Sequence, residues 1–198
     1  MTDPTSIHPG EPPQSLHGRR IAEIPQLLDL AAALLRTPSA LAEMSTADAR
    51  SVVSYMRLIH YPAGALMFRE GDASNTSYLL LVLSGEVKVE AIERIDGEAL
   101  DIGVLGPGNV IGEMGLIDGA PRSATCTAVT TVQAGGMSRN ALDRMLAEQP
   151  AVAAKLMVAL SQRLADRLRA LGEQLGIYAR LARQTRQELD RLKGSGAS

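Results

Sequence analysis

The run Gly112-Glu113-Met114-Gly115-Leu116-Ile117-Asp118-Gly119-Ala120-Pro121-Arg122-Ser123-Ala124 decides how the rest of the chain is read. Gly112 and Gly115 lack Cβ, so the backbone there can take unusual dihedrals and come close to a neighbour. Between and after them, Glu113-Met114-Gly115-Leu116 suits one short helical turn. The unsatisfied N–H groups that open such a turn favour an anion. Arg122, nine residues after Glu113, offers a planar donor fork matched to phosphate oxygens. Glu113 repels phosphate and suits a hydroxyl donor, such as a ribose 2′-OH. Gly106, Pro107 and Gly108 lead into the run, and the small Ser123, Ala124, Thr125 and Cys126 close it. An anion site beside a hydroxyl acceptor describes a ribose phosphate. The plainer reading is a structural ion pair between Glu113 and Arg122 in a glycine-rich loop.

The run resembles the phosphate-binding cassette of cyclic nucleotide-binding domains, found in protein kinase A regulatory subunits, gated ion channels and bacterial catabolite activators. That pattern is Gly-Glu-(Leu/Met)-(Ala/Gly)-Leu, a short loop, then Pro-Arg-(Ser/Thr/Ala)-Ala. It stands here as Gly112-Glu113-Met114-Gly115-Leu116 and Pro121-Arg122-Ser123-Ala124. The resemblance implies that Glu113 holds the ribose 2′-OH and Arg122 the cyclic phosphate. Backbone amides of Gly112, Glu113, Met114 and Gly115, and of Ser123 and Ala124, would complete the cradle. Ser123 follows the arginine, where related domains carry Thr for cGMP, Ala in the kinase cAMP sites and Ser in the cAMP-binding activators. The ligand implied is therefore cAMP, with cGMP open. The activators also contact adenine through hydroxyls on their long helix, whereas this register brings Leu171 and Gly172 there. Weak discrimination between cyclic nucleotides, or a different cyclic ligand, would follow.

Upstream, residues 1–25 hold five prolines and are expected to be a flexible lead, with His8 and His17 solvated rather than ligating. Residues 26–36 read as a helix stopped by Thr37-Pro38. A second helix, capped by Ser45 or Thr46, should run through Arg57, with Val52, Val53 and Met56 inward. The period then changes to that of strands at 58–61, 65–68, 78–83, 86–92 and 100–105, with a hairpin signal at Asp96-Gly97 and glycine-bearing turns between. His60 falls in a strand and reads as a packed residue. After the cassette, 124–133 and 132–137 close the sheet. The expectation is a mostly β domain at 58–137 with flanking helices at 26–57, and the resemblance selects a jelly-roll β-barrel.

Ser138 opens a short helix and Pro150 a long one. Leu164, Leu168, Leu171, Leu175, Tyr178, Ala182, Thr185, Leu189 and Leu192 recur at alternating steps of four and three, a heptad seam. A helix over 150–193 would be about 65 Å long, more than one barrel can cover. Residues 164–192 are expected to form a parallel coiled coil with a second copy, making a homodimer. Glu188 and Lys193 sit at positions that pair across it. Gly172 and Gly176 weaken the helix by about 1 kcal/mol each against Ala, and mark either a bend or a close approach. Residues 138–193 form the C-terminal helical part and 194–198 a flexible tail. No helix-turn-helix is expected after the seam. The eight basic against four acidic residues of 163–193 are read as a solvated coiled-coil face, so DNA binding is not expected.

The chain has 198 residues, 45% hydrophobic and 21% charged, with a formal net charge of −2. That is enough apolar material for one core with extensions, and no global field draws the chain to nucleic acid. With no Trp and one Phe, stacking platforms for single strands are not expected. The single Cys126 rules out an internal disulfide and reads as a buried structural thiol. No apolar run has the length of a membrane span and no signal-peptide core opens the chain, so a cytoplasmic protein is expected. No cofactor, metal constellation or catalytic triad is read. The functional expectation is a stand-alone cyclic nucleotide sensor, not an enzyme, that signals to an effector protein through its C-terminal helices. The alternative is a ligand-free dimeric interaction module with a degenerate cassette.

Overall fold

A computed structural model describes residues 18–37, 41, 44–74, 76–92 and 99–195. A 3-10 turn at Ile21–Glu23 leads into α1 (Pro25–Leu35) and α2 (Thr46–Ser54). Eight strands follow: β1 (Arg57–Tyr61), β2 (Leu66–Phe68), β3 (Tyr78–Ser84), β4 (Val87–Ile92), β5 (Ala99–Leu105), β6 (Val110–Ile111), β7 (Thr125–Ala128) and β8 (Val132–Ser138). Between β6 and β7 lies a short helix, α3 (Glu113–Asp118). Two helices close the chain, α4 (Arg139–Glu148) and α5 (Pro150–Ser195).

The strands form two antiparallel four-stranded sheets, ordered β1-β8-β3-β6 and β2-β7-β4-β5. Inward side chains of both sheets meet in one core, including Tyr61 of β1, Phe68 of β2, Tyr78 and Val82 of β3, Val87 of β4 and Ala134 of β8. Two packed four-stranded antiparallel sheets, a β-roll, stand where a jelly-roll β-barrel was expected. Two consecutive pairs read as neighbours are not partners, however. β1 pairs with β8 while β2 pairs with β7, and β3 and β4 likewise belong to different sheets. Gly85, at φ 84°, makes the tight change of direction between β3 and β4. β4 and β5 do pair, with Ile92 opposite Ala99, and the Asp96-Gly97 turn joining them lies outside the described residues.

Sequence dictates the helix ends. Pro25 stands at the first turn of α1, where its missing N–H is no loss. The Ser45 side chain accepts from the Asp48 N–H at 3.1 Å and caps α2. The helix stops at Ser54 rather than continuing through Arg57, because Arg57 begins β1 opposite Gly136. Val52, Val53 and Met56 are buried as expected. His60, read as packed, is exposed: it lies on the outer side of β1, between buried Ile59 and Tyr61. Cys126 is buried in β7.

The helices before and after the roll are tied by named contacts. Lys155 Nζ donates to Asp48 Oδ2 at 2.7 Å, Tyr55 OH to Glu148 Oε2 at 2.7 Å, and Ser51 Oγ to Gln149 Oε1. The chain divides into a compact unit ending at Ala159 and a second unit from Leu160 onward. Among the described residues the second is the part of α5 from Leu160 onward. It runs unbroken through Gly172 and Gly176 to Ser195, beyond the expected end at 193. Leu168, Leu171, Leu175 and Tyr178 of the seam are 55–72% exposed, and Ile177 and Leu181 beside it 49% and 53%. The side chains of Glu188, Leu189, Leu192 and Lys193 lie outside the described residues.

Candidate functional site

The cassette assembles around a buried guanidinium. β6 ends at Ile111 and the chain enters α3 through Gly112, which is left-handed at φ 77°. That conformation is strained for any residue with a Cβ and natural for glycine. It aims the first turn of α3 back toward the loop that carries Arg122. Gly119, at φ 72°, ends the helix with its N–H on the Gly115 carbonyl at 3.0 Å.

Arg122 is 4% exposed. Its Nη1 donates to the Gly112 carbonyl and its Nη2 to the Tyr78 carbonyl, both at 2.8 Å. Its Cζ lies 3.9 Å from the centroid of the Phe68 ring and 4.9 Å from that of Tyr78. The two rings are themselves 5.3 Å apart. A cation over aromatic faces in a desolvated setting gains about 2 kcal/mol, which offsets part of the cost of burial. The backbone of Arg122 is fixed too: its N–H donates to the Asp72 carbonyl at 3.0 Å and its carbonyl accepts from Gly71 at 2.8 Å. Burial pulls the guanidinium below its ordinary pKa, while Tyr78, Cys126 and Asp72 draw it back. It stays charged near neutrality. Burial also raises the Tyr78 and Tyr61 phenols, so both are neutral there.

The two glycines leave room for this side chain. A methyl on Gly112 would meet Arg122 Nη1 at 2.6 Å and the Phe68 ring at 2.7 Å. On Gly115 it would meet Arg122 Nη1 and the Thr76 carbonyl, each at 3.1 Å. The close approach read from the sequence is real, and the group that approaches is the chain's own arginine. Glu113, at the first position of α3, is 2% exposed. Met114 is 42% exposed, and Ser123, also exposed, places its Oγ 3.7 Å from the Met114 sulfur. Ala124 packs on the core. The structure thus brings Gly112, Gly115 and Arg122 together, buries Glu113 at the start of α3, and sets Met114 and Ser123 side by side at the surface.

Sequence reasoning missed three contributors. Phe68 and Tyr78 form the aromatic seat of Arg122, and nothing in their own strand patterns distinguishes them from core residues. Arg139, the first residue of α4, reaches back to the end of α3, where its Nη2 donates to the Leu116 carbonyl and lies 3.5 Å from that of Gly115. Its own N–H donates to the Ser77 carbonyl at 2.7 Å. Cations at a helix C-terminus satisfy its open carbonyls, so α3 and α4 are held by one side chain. Among the described residues, no group of three or more His, Cys, Asp or Glu side chains could hold a metal ion, and no helix is long and apolar enough to cross a membrane.

Comparison with known proteins bears on the same segment. The family model for the cyclic nucleotide-binding domain matches residues 58–149. A CRP-like cAMP-activated global transcriptional regulator of Mycobacterium tuberculosis is 29% identical over 114 residues, 58% of this chain and 50% of that protein. A cyclic AMP receptor protein of Thermus thermophilus is 32% identical over 114 residues, 58% of this chain and 51% of that protein. The chain thus spans about half the length of these relatives. Among solved structures, a cyclic nucleotide-binding domain from Methylobacillus flagellatus superposes with a TM-score of 0.65 at 30% identity, covering 78% of this chain and 92% of that one.

Proposed function

The chain belongs to the cyclic nucleotide-binding domain family, and from that premise we propose that it is a cyclic nucleotide sensor, taking cAMP in preference to cGMP. The observation that carries the reading is the buried Arg122 guanidinium, seated against Gly112 at the opening of α3, the helix whose first residue is the buried Glu113. In this reading Arg122 turns part of its donor fork to the cyclic phosphate, joined by backbone amides of Gly112, Glu113, Met114 and Gly115 and of Ser123 and Ala124. Glu113 accepts from the ribose 2′-OH. The relatives named for cAMP, together with Ser123 after the arginine, favour cAMP.

Output passes to the helices. The Arg139 contact links α3 to α4, so a ligand that shifts α3 also shifts the start of α4. A ligand moves that equilibrium only by its difference in affinity for the two arrangements. The exposed stripe on α5 pairs with a second copy of the chain, and the dimer presents its helices to an effector protein. No catalytic step belongs to this reading.

A second reading is a dimeric interaction module that binds no nucleotide. It draws on the same guanidinium, whose two hydrogen bonds to backbone carbonyls already serve the fold. Melting the purified chain with cAMP, cGMP and linear 5′-AMP separates the two. The sensor reading expects a rise in Tm with cAMP, a smaller one with cGMP and none with AMP. Equal curves in all three would leave the interaction module.

A further inference from the structure

We propose that a hollow at the end of the first sheet, away from the cassette, is a second ligand site, for a small phosphorylated molecule. The hollow has a volume of about 430 Å³, and its lining includes Arg20, Arg57, Arg144, Ser77, Ser138 and Asn140. It lies where β1 and β3 begin and β8 ends. No residue of 112–124 lines it.

The charge arrangement carries the inference. Arg20 and Arg57 are partners in an antiparallel β-bridge. Like charges directly opposite in such a pair are destabilising. Here both line one concavity to which, among the described residues, no Asp or Glu contributes. Arg57 Nη1 donates to the neutral Gly18 carbonyl at 2.7 Å, a partner that brings no counter-charge. Arg144 adds a third positive charge from α4. Its guanidinium is 5.3 Å from the Tyr55 ring and 3.6 Å from one Glu148 oxygen, and the other Glu148 oxygen accepts from Tyr55. Gly136, opposite Arg57 in β8, also lines the hollow and brings no side chain to it.

Three guanidiniums, one from the chain before Ile21, one from β1 and one from α4, with hydroxyl and amide donors in the same lining, match a group that accepts several hydrogen bonds and carries more than one negative charge. A phosphate ester or diphosphate meets both requirements. The volume falls in the range of small-molecule sites and leaves space for an organic portion beyond the phosphate. The anion would relieve the Arg20–Arg57 repulsion, so binding should also stabilise the fold.

The test titrates the full chain with pyrophosphate at constant ionic strength, reading heat and melting temperature. The expected result is saturable binding of one pyrophosphate per chain with a rise in Tm. The affinity should fall at least tenfold in R20Q/R57Q and at least threefold in R144Q, and should be unchanged in R122A. Without anion, R20Q/R57Q should melt no lower than wild type, because the substitution removes repulsion. Absence of saturable binding overturns the proposal, as does equal affinity in R20Q/R57Q. A loss that follows Arg122 instead would place the anion in the cassette and also overturn it. Binding of cAMP by R20Q/R57Q should match wild type, so failure of this site and failure of the sensor reading are told apart.

Discussion

At Gly112 one residue answers to two constraints. Its φ of 77° costs an L-residue about 1–2 kcal/mol, and any Cβ would strike Arg122 and Phe68. Gly119 shares the first constraint, at φ 72°, and meets nothing within 4 Å. Gly112→Ala should therefore destabilise the chain by more than Gly119→Ala, by about 1–3 kcal/mol beyond it given the usual cost of overpacking; urea unfolding of both variants checks the order, and equal losses would contradict it. Glu113 gives a sharper functional test. Glu113→Gln should weaken cAMP by about tenfold, the worth of a hydrogen bond to a charged group, and leave 2′-deoxy-cAMP unaffected. Equal losses with both ligands would remove Glu113 from the ribose. At this scale the close packing was legible: two glycines and an arginine at that spacing announce a place where the backbone is approached closely. Which group fills the glycines' space was not legible, since a missing Cβ records that something comes close and not what it is.

Between elements, one side chain makes the link on which the proposed coupling rests. Arg139 joins the end of α3 to the start of α4, so Arg139→Ala should leave a folded roll and change how far cAMP shifts the later helices. Hydrogen exchange of α4 with and without cAMP reads this, and an unaltered ligand effect in the variant would contradict it. The tie between α2 and α5 is pH-dependent. Hydrogen bonds from Lys155, then Ser45, hold the Asp48 carboxyl below its ordinary value of 3.8. A depressed folded pKa means that its contribution is complete above that value and is lost as pH falls through the folded pKa. Asp48→Asn should flatten this part of the acid limb of the stability curve, and an acid limb unchanged from wild type would contradict the assignment. Strand existence was legible from alternation and from glycine turns, and helix ends from Ser45, Ser138 and Pro150. Strand partnership was not, because a strand's own period names its inner face and not its neighbour. The two-residue β6 is too short to show a period at all.

For the whole molecule, the apolar stripe on α5 is the feature to account for. Leu168, Leu171, Leu175 and Tyr178 stand exposed at steps of three and four. Stripes of that spacing pair helices. The chain should sediment as a dimer, and Leu168→Glu with Leu175→Glu should return a monomer with its roll intact; a wild-type monomer at micromolar concentration would contradict the seam. The continuity of α5 through two glycines was not legible, since each weakens a helix by an amount that neighbours can outweigh. The central claim is that the Arg122 guanidinium serves a ligand as well as the fold. Calorimetric titration of wild type and Arg122→Ala with cAMP tests it most directly. The account predicts saturable heat in wild type and a loss of about 2–5 kcal/mol in the variant, as for removal of one partner from a buried charge pair. Identical titrations in the two proteins, or no heat in either, would contradict it.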